Sequence, residues 1–140
     1  MRLTKNRKVE LIRKVPLFSH LSKKALEDVA RIADELDFPE GKALTKEGAR
    51  GHEFLVILEG AAEVRKDGRR INTLADGDFL GEIALITKRP RTATVTTTAP
   101  TRALVITDRD FLELMKRSPE VGQGVVEALG ERLAPDLDYV

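Results

Sequence analysis

Residues 77–94 read GDFLGEIALITKRPRTAT. Within this stretch an acidic residue, Glu82, stands inside an apolar run, and an arginine, Arg91, follows nine positions later behind Pro90. GEIAL is richer in helix formers than in strand formers, so a short helical turn is expected to begin near Gly81 or Glu82. The backbone N–H groups at such a start, with the local dipole, favour an anion. Gly81 has no Cβ, which lets a ligand approach the backbone closely. Arg91 supplies the counter-charge, because a guanidinium forks to two phosphate oxygens in a geometry lysine cannot copy. One arginine suits a monoanion better than a triphosphate, and neither a GK[ST] loop nor an acidic cluster suited to magnesium accompanies it. Glu82 beside a phosphate is repulsive unless the ligand also brings hydroxyl donors, which a carboxylate accepts. A phosphate and a sugar hydroxyl in one pocket describe a nucleotide whose phosphate carries a single negative charge.

Around this stretch the pattern is that of short strands. From about residue 37 to 107, turn dipeptides recur at Glu40-Gly41, Glu59-Gly60, Asp67-Gly68, Asp76-Gly77 and Ala99-Pro100. Between them lie EFLVILE, AAEVRK, RRINTLA, TATVTTT and RALVIT. Asp67-Gly68 is a strong hairpin signal, since both central residues of a type I′ turn need positive φ. Regularly punctuated short strands imply a sandwich or a closed barrel of jelly-roll type.

Helical patterns precede and follow. Val9, Ile12 and Val15 fall at helical spacing before Pro16; Ser22 then reads as an N-cap to a stripe of Leu26, Val29, Ala30, Ala33 and Leu36. These place helices over about 4–36. Asp108 reads as a cap, with Phe111, Leu112 and Met115 facing inward. Ser118-Pro119 restarts a helix in which Val121, Val125 and Leu129 repeat at steps of four until Pro135, giving C-terminal helices over about 108–134. Gly122, Gly124 and Gly130 weaken this last helix by about 1 kcal/mol each relative to alanine. A dimer built on a long shared coiled coil is therefore not expected.

The chain has 140 residues, enough for one domain with one core. Its 24 basic and 23 acidic residues nearly cancel, against the positive excess a broad nucleic-acid footprint requires. Cysteine is absent, which excludes disulfides and thiolate metal sites. No apolar run approaches a membrane span, and the basic N-terminus lacks a signal-peptide core, so a cytoplasmic protein without membrane contact is expected. His20 and His52 stand in different segments, too few for a metal-binding cupin, and no Ser/His/Asp set presents itself. No catalytic residue and no metal ligand is assigned.

The motif Leu80-Gly81-Glu82-Ile83-Ala84-Leu85, followed after four residues by Pro90-Arg91-Thr92-Ala93-Thr94, resembles the phosphate-binding cassette of the cyclic nucleotide-binding domain family. That family includes catabolite-activator-type regulators, regulatory subunits of cyclic-AMP-dependent protein kinase and cyclic-nucleotide-gated channels. The resemblance covers nearly the whole chain, since helix–barrel–helix is also the family plan. It implies an α+β domain over 1–140, an eight-stranded jelly-roll β-barrel flanked by N-terminal and C-terminal helices, with the cassette at 80–94.

By the same resemblance Glu82 bonds the ribose 2′-hydroxyl and Arg91 the cyclic phosphate. Backbone N–H groups near Ala84 and Leu85, with that of Ala93, complete the cradle; Ile83 and Leu85 are apolar cassette positions, Leu85 linking the cassette to the C-terminal helices. Leu80 stands where phenylalanine is frequent. The Thr92 hydroxyl reaches the phosphate and in some relatives also contacts guanine, so it leaves the base open between cyclic AMP, the expected ligand, and cyclic GMP. Tyr139 reads as part of the terminus, with a lid stacked on the base as the other reading. The expected protein is a sensor and not an enzyme, needing no cofactor beyond its ligand. Val125 or Leu129 covers the base when the C-terminal helices swing in, and an effector protein or domain receives the signal. The alternatives are a piece of a cyclic-AMP-responsive transcription regulator and a ligand-free interaction domain. Only seven residues follow Leu133, so direct DNA binding by this chain is not expected.

Overall fold

The computed structural model describes residues 3–133; Pro135 and Tyr139 lie outside them. The described residues form two compact units, one of residues up to 32 together with those from 110 on, the other of 33–109.

The second unit contains eight strands: β1 (Asp34–Phe38), β2 (Ala43–Thr45), β3 (Glu53–Glu59), β4 (Ala62–Lys66), β5 (Arg69–Leu74), β6 (Phe79–Leu80), β7 (Thr94–Thr97) and β8 (Thr101–Thr107). They form two four-stranded antiparallel sheets, ordered β1-β8-β3-β6 and β2-β7-β4-β5. The expected eight strands are present, and among the described residues no ladder joins one sheet to the other, so they are described as two sheets. The two inner faces pack instead through side chains. Leu44 of β2 rests on Leu55, Ala103 and Val105 of the first sheet, and Ile57 of β3 clusters with Ala62 and Val95 of the second.

β3 and β8 are central because their sequences allow it. Phe54–Ile57 and Ala103–Ile106 are buried without a break, so both faces of these strands are dry, and only uninterrupted apolar runs tolerate that. The turns fall where glycine permits them. Asp67 (φ 53°) and Gly68 (φ 78°) close the β4–β5 hairpin with two left-handed residues, as a type I′ turn requires.

Sequence periodicity failed at the first strand. The apolar stripe runs on to Leu36, yet Leu36 belongs to β1, paired over its full length with β8 from Asp34↔Val105 to Phe38↔Thr101. Five rungs of ladder outweigh a helical spacing continued by two residues. The helices of the first unit are accordingly shorter than the 4–36 span: α1 (Lys5–Arg13), a 3-10 turn at Pro16–Phe18, and α2 (Lys23–Arg31). Ser22 caps α2, its hydroxyl accepting from the Ala25 N–H at 3.2 Å.

The C-terminal helices are α3 (Asp108–Arg117) and α4 (Pro119–Leu133), with proline at the first position of α4. Phe111 is buried as expected and packs against Phe18, the rings tilted by 58° with centroids 5.6 Å apart, but Leu112 is exposed and Leu114 takes the inward position. Gly124 permits close packing in this unit, since a Cβ there would overlap Leu21.

Candidate functional site

β6 ends at Leu80, and Gly81 turns the chain with φ 79° and ψ 20°, a left-handed conformation that favours glycine. Glu82–Leu85 then forms one 3-10 turn, in which the Ala84 N–H donates to the Gly81 carbonyl at 3.0 Å. The short helix expected from GEIAL is therefore present, but the Ala84 amide is engaged within it. Glu82 is only 7% exposed, an unusual location for a carboxylate.

Arg91 is fixed by its own backbone. Its N–H donates to the Ala49 carbonyl at 2.7 Å and its carbonyl accepts from Gly48 at 2.8 Å, beside the bridge between Arg50 and Pro90. The side chain donates from Nη2 to the Glu53 carbonyl at 2.5 Å. Two glycines flank the guanidinium: a Cβ on Gly51 would overlap its Nε and Cζ, and one on Gly81 would overlap its Nη1. The reason for glycine at position 81 is thus partly different from the one expected. Its missing Cβ makes room for the arginine itself.

Partial burial lowers the Arg91 pKa from its ordinary value, and the Glu53 charge works against that shift. An arginine so placed stays charged. One of its five donors is committed to Glu53, which leaves others for an anion.

Both groups line one cavity of about 490 Å³ within the second unit, a size ordinary for small-molecule sites. Seven of the eight expected site residues line it: Gly81, Glu82, Ile83, Ala84, Arg91, Thr92 and Ala93. Leu85 is not among the lining residues, and its side chain is 1% exposed. Opposite the polar groups, Val64, Leu74, Leu80 and Val95 give the cavity an apolar wall. Arg89 is among the lining residues too, so the lining contains two arginines and one glutamate, a balance that favours an anionic ligand.

Thr45 organises the segment after Arg91. Its hydroxyl donates to the Ala93 carbonyl at 3.0 Å and accepts from the Val95 N–H at 3.2 Å. Residues missed by sequence reasoning include Gly51, the Glu53 carbonyl, Thr45, Arg89 and the wall residues Val64, Leu74 and Val95. Alternation along β4 gives a signal for Val64. Nothing local marks Gly51 as the neighbour of an arginine forty positions away. Among the described residues, no group of three His, Cys, Asp or Glu is placed to hold a metal, and no helix is long and apolar enough to cross a membrane.

The family model for the cyclic nucleotide-binding domain matches residues 35–118. A cAMP-dependent protein kinase regulatory subunit of Mycosarcoma maydis is 38% identical over 113 residues, 72% of this chain and 21% of that protein. A cGMP-dependent protein kinase of Eimeria tenella is 30% identical over 112 residues, 79% of this chain and 11% of that protein. Among solved structures, the N-terminal domain of a transcriptional regulator from Streptomyces coelicolor A3(2) superposes with a TM-score of 0.80 at 27% identity, covering 90% of this chain and 92% of that one. The chain thus spans about a fifth and about a tenth of the two kinase-related proteins it matches.

Proposed function

The chain belongs to the cyclic nucleotide-binding domain family, and we propose from that membership that its cavity binds a 3′,5′-cyclic nucleotide, cyclic AMP in preference to cyclic GMP. The observation that supports this reading best is the convergence of Glu82 and Arg91 on one cavity with an apolar wall. The guanidinium takes the cyclic phosphate, and the carboxylate accepts from the ribose 2′-hydroxyl. The backbone around Ile83 and Ala93 and the Thr92 hydroxyl complete the polar half of the site, while Val64, Leu74 and Val95 receive the base.

In this reading the protein is a sensor and not an enzyme, acting in the cytoplasm. Binding biases a two-state equilibrium that the C-terminal helices pass to an effector protein or domain. Leu85, buried one residue beyond the cavity lining, is the cassette position assigned to that relay. The eight strands in two sheets are compatible with jelly-roll winding.

A melting scan with millimolar cyclic AMP and cyclic GMP tests the assignment. A ligand at 100 times its Kd stabilises by about 2.7 kcal/mol. Both nucleotides are expected to raise Tm, cyclic AMP by more; no shift with either overturns the reading and leaves a domain of this fold that acts in protein interaction. A second reading rests on the Streptomyces neighbour, whose domain this chain matches over 92% of its length: the same sensor joined to a DNA-binding segment. Gel-shift assays on the natural full-length protein, with and without cyclic AMP, separate the two.

A further inference from the structure

The outer edge of the second sheet carries a feature independent of the cavity's ligand. β5 is the last strand in the order β2-β7-β4-β5, so among the described residues it has a ladder on one side only. Backbone N–H and C=O groups on the other side of such a strand are open to a further extended chain. Arg69 to Thr73 are all exposed, Ile71 to 58%.

The charge on this edge is concentrated. Across the hairpin Arg65 faces Arg70 and Lys66 faces Arg69, and like charges directly opposite one another are destabilising. Glu63 offsets Arg65 at 2.7 Å, whereas Lys66, Arg69 and Arg70 form no ion pair among the described residues. Asp67 in the turn and Glu47, which accepts from the Asp67 N–H at 3.0 Å, are the nearby acids, whereas β5 itself carries two arginines and no acid.

We propose that the β5 edge docks an extended acidic segment of a protein partner. The segment adds as a fifth strand, sets carboxylates beside Lys66, Arg69 and Arg70, and covers Ile71 with an apolar side chain. Cations on an edge also discourage unwanted pairing, but that protection does not call for an isoleucine exposed among them. DNA or an anionic membrane is less suited, because both reward a broader basic surface than one hairpin end on a neutral chain.

The test is an NMR titration of the intact chain, at low salt, with a short capped peptide carrying two adjacent glutamates and a neighbouring valine, since Arg69, Arg70 and Ile71 are consecutive on β5 and alternate between its faces. Amide shifts and protection from hydrogen exchange are expected at residues 69–74. The double substitution Arg69→Glu/Arg70→Glu should weaken binding about tenfold while leaving the melting temperature near that of the parent. The same peptide with both glutamates replaced by lysine should bind at least tenfold more weakly. Absence of shifts at 69–74, equal binding of the lysine peptide, or indifference to the charge reversal overturns the proposal. So does preferential binding of duplex DNA or phosphatidylserine vesicles through the same residues.

Discussion

Gly81 and Arg91 are sterically matched: the guanidinium Nη1 occupies the space that a Cβ on Gly81 would fill. Gly51 stands against the same guanidinium at its Nε and Cζ. The group assigned to the phosphate is therefore held in a slot whose walls are missing side chains, with the Glu53 carbonyl fixing its tip.

Alanine at each glycine separates strain from displacement. Gly81→Ala puts a side chain at φ 79°, at a cost of about 1–2 kcal/mol, and also pushes on Arg91. Gly51→Ala only pushes on Arg91. Denaturant unfolding should find Gly81→Ala the less stable of the two, while calorimetry should find both at least tenfold weaker for cyclic AMP. Parental affinity in Gly51→Ala would remove the slot as a determinant of binding.

Truncation of the charged groups has a size set by charged hydrogen bonds, about 1.5–3 kcal/mol each. Arg91→Ala and Glu82→Ala are each expected to weaken cyclic nucleotide binding at least tenfold with the domain still folded. Calorimetry on both variants checks this, and unchanged affinity in both would withdraw their roles.

Thr45 carries a structural prediction. Thr45→Val keeps the shape but leaves the buried Val95 N–H without the hydroxyl it donates to. Loss of that acceptor should cost about 1–3 kcal/mol in urea unfolding, with weaker ligand binding because Ala93 loses its tether.

One pH dependence follows from the helical unit. His20 Nε2 lies 2.7 Å from Glu131, and Nδ1 lies 3.6 Å from Glu127. The hydrogen bond to Glu131 raises the His20 pKa above 6.5, with burial opposing and both carboxylate charges assisting. A folded-state pKa above the unfolded one means the protonated form is favoured in the native state. The stabilisation is therefore complete below about pH 6.5 and is lost as pH rises through the higher native value. The difference in stability between the parent and His20→Gln should be largest at acidic pH and vanish on the alkaline side. A difference that grows with pH would contradict the arrangement.

Local chemistry was the legible part of the fold. Asp67-Gly68 announced its hairpin because two adjacent positive φ values have few sequence solutions, and Ser22 announced α2 because its hydroxyl caps a neighbouring N–H. Leu36 misled because spacing within a segment cannot report a ladder formed with residues some seventy positions later. Leu112 and Leu114 exchanged roles for a related reason: two leucines in one helix differ only in which face a neighbour covers.

By itself the sequence determined the turns and the succession of short strands, and it marked Glu82 and Arg91 as the charged candidates that line one cavity, since glycine, β-rich apolar runs and the residue types in GEIAL and PRTAT carry their physics locally. Tertiary structure alone decided that eight strands divide into two sheets, that Gly51 and the Glu53 carbonyl hold the arginine, and that β4 and β5 supply the apolar wall of the cavity. Those contacts join residues far apart along the chain, and their energy exists only once folding has brought both partners together.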